Sequence, residues 1–268
     1  MTPRVLCLIL GTAACAAQQA PLPVYRAVRT LDPIRIDGKL EEFSWAVAPR
    51  VGSFRHIRRP EERPRLSTEA ALLWDAENLY AAFACRDGEP WSRLEQRDQH
   101  LWEEEVVEVF LDPDGDGQNY AELEVNPRNV VVDLLIARPR SDLPTALRWD
   151  ISGLKTAVTR MAGGWVVEIA IPWKSLAAAG VAGPPAPGAR WRVGLYRIER
   201  PGGPAKADQI ARLAAEVKSA PEARRAEIEE RLRQLRSDDQ FLAWSVTRAE
   251  RGFHDPERFG IVEFAEEP

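Results

Sequence analysis

The chain has 268 residues, of which 45% are hydrophobic and 29% charged, which is the composition of a globular protein with a core of its own. Its formal net charge of -5 provides no broad basic surface, so nucleic acid and anionic membranes are excluded as predicted partners. Three histidines and two methionines leave few side chains for metal or haem chemistry.

The N-terminus has the layout of a secretory signal followed by a tether. Arg4 precedes an apolar run over residues 5–14, and small residues follow around Cys15. That run is too short to span a bilayer, so we expect export to the periplasm or the extracellular space and no membrane span. The sequence TAAC, ending at Cys15, leaves lipid anchoring and simple secretion as two open outcomes. The predicted division is a signal and tether at 1–20 and one domain at 21–268.

Strand patterns begin after the tether. Residues 69–74 and 79–85 are apolar runs on either side of the turn sequence DAEN, which predicts a β-hairpin. Further runs of strand character lie at 106–111, 130–136, 164–171, 191–198, 241–246 and 259–264. Many short strands separated by turns are typical of an all-β protein. We predict an antiparallel β-sandwich.

The most informative segment is LWEEEVVEVFLDPDGDGQNYAELEVNP, residues 101–127. Period-2 alternation in its first strand puts Val107, Val109 and Leu111 on one face, and Glu108 on the other. The second strand has a polar face, formed by Glu122, Glu124 and Asn126. If the two strands pair, carboxylates and an amide gather near Trp102.

The turn between these strands reads DPDGDG, with Asp112, Asp114 and Asp116 at the alternate positions of a calcium loop. It is not an EF-hand, because Leu123 occupies the position where a bidentate glutamate belongs. A plain hairpin turn is the alternative interpretation.

Residues 205–239 change to helical spacing. Two apolar stripes lie in this segment, Ile210, Leu213 and Val217, then Ile228, Leu232 and Leu235. Ser219, followed three residues later by Glu222, predicts a helix start. We predict a helical hairpin inserted in the β domain, and leave open whether it covers a site, binds a protein partner or decorates an edge.

A set of ordered motifs resembles the family 9 carbohydrate-binding modules, which are found attached to xylanases. Trp102 is followed by Glu105 and Glu108 in a strand that ends in FLD. The other matching motifs are IDGKLEEFSW, LLWDAENLYAAFACRD, GGWVVEIAIPW, AWS and FHDPERFG. Together they extend over about residues 34–264, which makes the set far more specific than any one motif.

The resemblance implies a sandwich of the CBM9/DOMON type and non-catalytic binding of polysaccharide chain ends, in extracytoplasmic polysaccharide breakdown or sensing. The implied carbohydrate-binding set is Trp102, Glu105, Glu108, Glu124, Asn126, Phe253 and His254. The rings of Trp102 and Phe253 are expected to hold one sugar between them. Phe253 stands where the family has Trp, and Glu124 stands where it has Arg, so we expect an altered sugar preference.

Members of the family also bind structural calcium, and no organic cofactor is expected. The resemblance makes four carboxylates the expected ligands of such an ion: Asp87, Asp112, Asp114 and Asp116.

Single features of the sequence also fit two other functions. A glycoside hydrolase would use two of Glu105, Glu108, Glu122 and Glu124 as acid and base on the O-glycosyl bonds of a xylan-type substrate. A haem domain would use Met161, but its sequence context, TRMAGG, predicts a turn rather than a core strand. A turnover assay and a Soret band would distinguish these functions from binding.

Overall fold

The computed structural model describes residues 20–267, so the predicted signal peptide and Cys15 lie outside the described residues. Strands predominate within that range. They are β1 (Val24–Arg29), β2 (Arg55–His56), β3 (Thr68–Trp74), β4 (Asn78–Arg86), β5 (Val106–Asp112), β6 (Tyr120–Val125), β7 (Val131–Ile136), β8 (Lys155–Met161), β9 (Gly164–Pro172), β10 (Arg190–Glu199), β11 (Gln240–Ala243) and β12 (Gly260–Ala265). The predicted all-β class is confirmed.

Helices are few by comparison. They are α1 (Phe43–Val47), α2 (Leu143–Ala146), α3 (Gly203–Ser219) and α4 (Glu222–Leu235), and short 3-10 turns lie at Leu101–Glu103, Trp173–Ala179 and Pro256–Arg258. None of the helices between residues 20 and 267 has the length and apolar character needed to cross a bilayer.

The strands form one curled sheet in the order β7-β6-β5-β10-β12-β1-β3-β4-β9-β8, with β11 paired to β10 and β2. The two halves of the sheet pack over a shared core, which gives the predicted sandwich. β1 departs from the predicted antiparallel arrangement, because it runs parallel to both β12 and β3. The chain reaches β3 from β1 through the long segment 30–67, and a parallel pair requires such a crossover.

The predicted alternation in β5 is confirmed. Val107, Val109 and Leu111 lie in the core between the two halves of the sheet. Val106 and Phe110 point to the outer face, where they join a second apolar cluster. Loops 137–147 and 246–259 cover this outer face with buried side chains of their own. The outer face of β5 and β6 is therefore enclosed rather than open to water.

The predicted helical hairpin is present as α3 and α4, which connect β10 to β11. A helix does start within the predicted motif, since α4 begins at Glu222 after Pro221. Ser219 does not cap it, because Ser219 is the last residue of α3 and its hydroxyl donates to the Glu216 carbonyl. α4 follows Pro221 and buries Ile228, whereas α3 has no fully buried residue. The hairpin is thus a surface element in which α3 and α4 pack mainly on each other and are joined by ion pairs such as Arg224 with Glu216.

Candidate ligand-binding cavity

A cavity of about 410 Å³ lies on the enclosed outer face of β5 and β6. Five of the predicted site residues line it together: Trp102, Glu108, Glu124, Phe253 and His254. Most of the wall is apolar, with Ile57, Leu134, Ile136, Leu143, Ile198 and Phe241. A mainly apolar pocket with a few convergent polar groups is the usual form of a small-ligand site.

The floor of the cavity is a cluster of three glutamates, which we call the acidic floor: Glu108, Glu122 and Glu124. Glu108 lies directly opposite Glu124 in the β5–β6 register. The three side chains are 2%, 4% and 1% exposed, and one oxygen of each lies within 4.8 Å of the others. Like charges directly opposite each other on paired strands are destabilising, so this arrangement is costly to the empty fold.

Burial sets the protonation of the acidic floor. It raises the pKa of Glu108 well above the ordinary value, and the charge of Glu122 raises that pKa further. The pKa of Glu124 is raised by burial and then by the neighbouring charges of Glu108 and Glu122. Burial also raises the pKa of Glu122, against the opposing effect of His254. The three carboxyls therefore share one environment that favours protons or a cation.

Two oxygens of the acidic floor lack a hydrogen-bond partner among the described residues, Glu122 Oε2 and Glu124 Oε2. The nearest basic side chain is His254, whose Nε2 lies 3.9 Å from Glu122 Oε2. The hydroxyl of Tyr120 is 2.8 Å from His254 Nδ1, and which of the two atoms donates depends on the imidazole tautomer. Tyr120 is the donor in the tautomer whose Nδ1 carries no proton. In that tautomer a neutral His254 carries its proton on Nε2, on the side of Glu122.

Trp102 forms the aromatic wall of the cavity. It lies in the 3-10 turn that begins at buried Leu101, and it is partly buried against the outer-face cluster. His100 stacks on that ring, with the ring centroids 4.5 Å apart and the planes 18° apart. Arg200 donates to the Trp102 carbonyl at 2.9 Å and pairs with Asp239 at the end of the helical insertion. The backbone of Trp102 is therefore held independently of its ring.

Phe253 differs from Trp102 in its burial. It is 8% exposed and stacks on Tyr196, with centroids 4.2 Å apart and planes 12° apart. The Phe253 carbonyl accepts a hydrogen bond from the Tyr196 hydroxyl at 3.3 Å. Phe253 is consequently part of the outer-face packing as well as of the cavity wall.

Two larger cavities, of about 510 and 620 Å³, lie beside the helical hairpin. Their linings include Lys206 and Ile210 in the first and Leu232 and Arg236 in the second. Neither contains a predicted carbohydrate-binding residue among the residues that line it. The cavity above the acidic floor is therefore the stronger candidate, in spite of its smaller volume.

Comparison with known families decides the identity of the domain. The sequence profile of the family described as carbohydrate family 9 binding domain-like matches residues 36–191, which is more than half of the chain. The chain belongs to this family. Trp102 and the acidic floor lie inside the matched range, whereas Phe253, His254 and the helical insertion lie beyond it.

One curated relative is endo-1,4-beta-xylanase A of Thermotoga neapolitana, which is 26% identical over 141 residues. The match covers 53% of this chain but 12% of the xylanase, so this family 9 domain corresponds to a small part of that enzyme.

Solved structures of family 9 domains share the fold. A family 9 module from Caldicellulosiruptor kristjanssonii in complex with cellotriose is 15% identical, with 91% of this chain and 95% of that chain covered and a TM-score of 0.57. The same module in complex with glucose gives a TM-score of 0.56 at 15% identity, covering 91% and 97%. A proposed carbohydrate-binding protein from Bacteroides uniformis gives 0.64 at 14% identity, covering 91% and 100%.

Asn126 lies outside the cavity lining of this family 9 domain. Its amide nitrogen donates to Ser92 Oγ at 2.9 Å and to the Leu94 carbonyl at 3.0 Å. Its amide oxygen accepts the backbone N–H groups of Arg128 and Val130, both at 2.9 Å. All four hydrogen-bonding positions of the amide are thus used to fix the turn after β6.

Glu105 also lies away from the cavity. It is 2% exposed, and its Oε2 accepts the backbone N–H of Trp91 at 3.1 Å. Burial and the nearby charge of Asp87 raise the pKa of Glu105 to about 9. Asp87 in turn pairs with fully buried Arg197 at 2.9 Å. Glu105 and Asp87 therefore belong to one buried network in the interior of the sandwich.

The four predicted calcium ligands divide into two places. Asp112, Asp114 and Asp116 each offer an oxygen within 4.8 Å of the others, and Asp87 is not in this group. The oxygens of Asp112 accept the backbone N–H groups of Gly115 at 3.1 Å and Gly117 at 3.0 Å. Burial raises the pKa of Asp112 to about 6, and Asp114 and Asp116 raise it as well.

Other parts of the cavity were not among the predicted residues. Glu122 was placed on the correct strand face by the alternation but not included in the carbohydrate-binding set. Phe241 and Leu143 reach the cavity from segments distant in sequence, and the patterns of those segments alone do not indicate this. Met161, the residue of the haem hypothesis, is 53% exposed at the end of β8, away from the core.

Proposed function

We propose that this family 9 domain binds the end of a carbohydrate chain in the cavity above the acidic floor, without catalysing its cleavage. Carbohydrate binding follows from the family to which the chain belongs. The observation that carries the chain-end proposal is the partly buried ring of Trp102 beside three buried carboxylates in one cavity. A sugar presents an apolar face to the ring and hydroxyl donors to the carboxylates.

The size and walls of the cavity favour a chain end. Its volume of about 410 Å³ is near the lower limit for ligand pockets, which is roughly 300 to 1,000 Å³. Loops 137–147 and 246–259 enclose the outer face around it. To bind a sugar in the middle of a polymer, the cavity would need an opening for the chain on both sides, whereas a terminal sugar needs only one opening.

The energetics fit a moderate affinity. Burying about 100 Å² of a sugar's apolar face at roughly 25 cal/mol per Å² contributes about 2.5 kcal/mol. Hydrogen bonds to charged groups contribute about 1.5 to 3 kcal/mol each. After the entropy lost on association, we expect a Kd between roughly micromolar and millimolar.

The same geometry argues against a hydrolase. A glycosidase needs one carboxyl with a raised pKa and another that stays ionised, which requires two different environments. Burial raises the pKa of all three carboxyls of the acidic floor. This supports binding rather than acid and base catalysis, and we expect no turnover of xylan or aryl glycosides.

Cellotriose and its borohydride-reduced form test the chain-end proposal. Reduction opens the terminal ring into a flexible alditol and leaves the internal sugars intact. The alditol has no flat face to contact Trp102, and its conformational entropy must be lost on binding. We expect calorimetry to show at least a tenfold weaker Kd for the reduced form, about 1.4 kcal/mol. Equal affinities would favour an open groove that accepts internal sugars.

We also propose that the DPDGDG turn holds a structural calcium ion. Carboxylate oxygens are the ligands that calcium prefers, and the turn brings three of them together. Asp87 has no place in this proposal, because it pairs with Arg197. The ion would fix the connection between β5 and β6 and so the two strands that carry the acidic floor.

Calcium should raise the Tm of the purified domain through this turn. A ligand at about 100 times its Kd adds about 2.7 kcal/mol to the free energy of unfolding, which corresponds to several degrees. We expect the gain in wild-type protein and in the control Asp208→Asn, which changes an exposed residue of α3. The double variant Asp114→Asn, Asp116→Asn should lose it. An equal gain in all three proteins would place the ion elsewhere.

The N-terminal pattern supports a further proposal, that the domain acts after export in polysaccharide breakdown or sensing, anchored through Cys15 or freely secreted. A protein partner for the helical hairpin stays a prediction.

A further inference from the structure

The acidic floor holds more buried carboxyl groups than a neutral sugar requires. We propose that the preferred ligand of the cavity is an amino sugar, whose ammonium group binds Glu108, Glu122 and Glu124 together. This inference rests on the proposed function, because it concerns the same cavity. It names the chemical class of the terminal sugar.

The geometry of the acidic floor matches an ammonium group. An ammonium has three N–H donors, and acceptor oxygens at about 2.8 Å along tetrahedral directions lie roughly 4.6 Å from one another. The three glutamates offer oxygens within 4.8 Å of one another. Two buried oxygens, Glu122 Oε2 and Glu124 Oε2, have no hydrogen-bond partner among residues 20–267. Each such buried acceptor destabilises the fold until a donor reaches it.

A cation satisfies this cluster better than a hydroxyl does. A hydroxyl donates one hydrogen bond and leaves the mutual repulsion of the carboxylates unchanged. An ammonium donates three and offsets that repulsion in a site of low dielectric constant. The raised pKa values of Glu108 and Glu124 have the same cause, since both groups are buried beside like charges.

The protein's own cations do not complete the cluster. His254 Nε2 is 3.9 Å from Glu122 Oε2, which is beyond hydrogen-bond distance. Arg200 acts on Glu108 through its charge, but its hydrogen bonds go to Asp239 and to the Trp102 carbonyl. Three exposed arginines line the cavity, Arg58, Arg140 and Arg251. These arginines are in contact with water, and they would repel a polymer that has positive charges along its length. A single amine on the terminal sugar therefore fits best.

An organic cation also fits better than a divalent metal. Calcium takes six to eight oxygen ligands, as a general rule about its coordination. The wall around the acidic floor is largely apolar, with Leu134, Ile136 and Ile198. Such a wall packs against a sugar ring and offers a metal few further oxygens. The partly buried ring of Trp102 adds an aromatic face, which attracts a cationic ligand.

Calorimetry with glucosamine, glucose and N-acetylglucosamine, in the presence of a chelator, tests the proposal on the unmodified protein. We expect glucosamine to bind about tenfold more tightly than glucose, because charge-assisted hydrogen bonds are roughly twice as strong as neutral ones. N-acetylglucosamine should lose this advantage, since acetylation keeps the nitrogen and removes its charge.

The outcomes distinguish the amino-sugar proposal from the chain-end proposal. Equal binding of glucose and glucosamine overturns the amino-sugar proposal and leaves chain-end binding intact. Binding of none of the three sugars, whether the chelator or calcium is present, overturns both. Glucose binding that appears only when calcium replaces the chelator, in the double variant Asp114→Asn, Asp116→Asn as well as in wild type, overturns the ammonium proposal in favour of a metal in the cluster.

A variant tests whether the preference for glucosamine arises from the acidic floor. Glu122→Gln removes one charge and keeps the shape of the side chain, so the ratio of the glucosamine and glucose affinities should fall toward one. Glu103→Gln is the matched control, because Glu103 is exposed in the neighbouring turn and does not line this cavity. An unchanged ratio in Glu122→Gln would show that the amine binds elsewhere. If this variant does not fold, the comparison of the three ligands on unmodified protein still tests the proposal.

Discussion

Trp102→Ala should remove most of the sugar affinity and lower the Tm only slightly. Trp102 is partly buried at the edge of the outer-face cluster and lines the cavity, so the fold loses less from its removal than from the removal of a core tryptophan. A bound sugar would lose about 100 Å² of apolar contact, or about 2.5 kcal/mol, which is a roughly 50-fold or greater weakening of the Kd. Calorimetry with cellotriose and a thermal melt measure the two quantities.

The backbone around Trp102 explains why the effect should be mainly on binding. Its carbonyl accepts from Arg200, and the buried side chain of Leu101 anchors the turn. Neither contact involves the indole ring. Removal of the ring therefore leaves the acidic floor and the turn in place, with His100 as the only ring that loses a stacking partner in the aromatic pairs of residues 20–267.

Two other aromatic variants make the test specific. Trp149→Ala removes an indole that is also half-buried but packs against the core away from the cavity, so sugar binding should persist. Phe253→Ala should lower both affinity and Tm, because Phe253 is buried against Tyr196. A loss of several kcal/mol of unfolding free energy in Trp102→Ala would make Trp102 a core residue and contradict its role as a binding wall.

The fold and the acidic floor were predictable because both depend on a local rule. Alternation with a period of two decides which residues of a strand face the core, and β5 and β6 are regular strands. It correctly puts Glu108 on the face opposite Val107. The pairing of the two strands then follows from the short turn between them, which brings Glu108 opposite Glu124.

Alternation and strand length explain why Glu105 and Asn126 of the expected carbohydrate set do not line the cavity. Glu105 has the same parity as Val107, so the rule itself directs it toward the interior, where it is found. Asn126 has the parity of Glu124, but β6 ends at Val125 and the chain turns, with a positive φ of 61° at Asn129. Family position suggested a ligand role for both residues, whereas their hydrogen bonds serve the fold.

The rest of the cavity could not be predicted from sequence because it is assembled by long-range packing. Leu143 comes from α2 and Phe241 from β11, and nearly a hundred residues separate them along the chain. No local pattern encodes which loop covers which sheet face. The place of loops 137–147 and 246–259 over β5 and β6 appears only in the folded chain.

Glu105→Gln should make the domain more stable at pH 8 and change little at pH 5. Glu105 is buried beside Asp87, whose charge is matched by Arg197 at 2.9 Å. Burial, the charge of Asp87 and a hydrogen bond to Asp87 raise the pKa of Glu105 to about 9, while the Trp91 N–H and Arg197 oppose the shift. Glutamine has the shape of the protonated carboxyl and can make the same two contacts without titrating.

The direction of this pH effect on stability follows from proton linkage. The folded pKa of about 9 lies above the unfolded value of 4.5, so the folded state binds more protons between these limits and loses stability as the pH rises through them. Each pKa unit corresponds to about 1.4 kcal/mol, so Glu105 should remove about 4 kcal/mol of unfolding free energy between pH 5 and pH 8. In Glu105→Gln this loss disappears, and we expect its Tm at pH 8 to exceed that of wild type by roughly 10 °C.

Thermal melts of both proteins at pH 5 and pH 8, with Glu103→Gln as a control, measure this effect. The buried acidic floor adds its own pH dependence to every protein, so the informative quantity is the difference between variant and wild type at each pH. Glu103 is exposed, and its replacement should give nearly equal differences at the two pH values. A Tm for Glu105→Gln below that of wild type at pH 8 would mean that Glu105 is ionised in the folded domain, held by a cation in the buried network with Asp87.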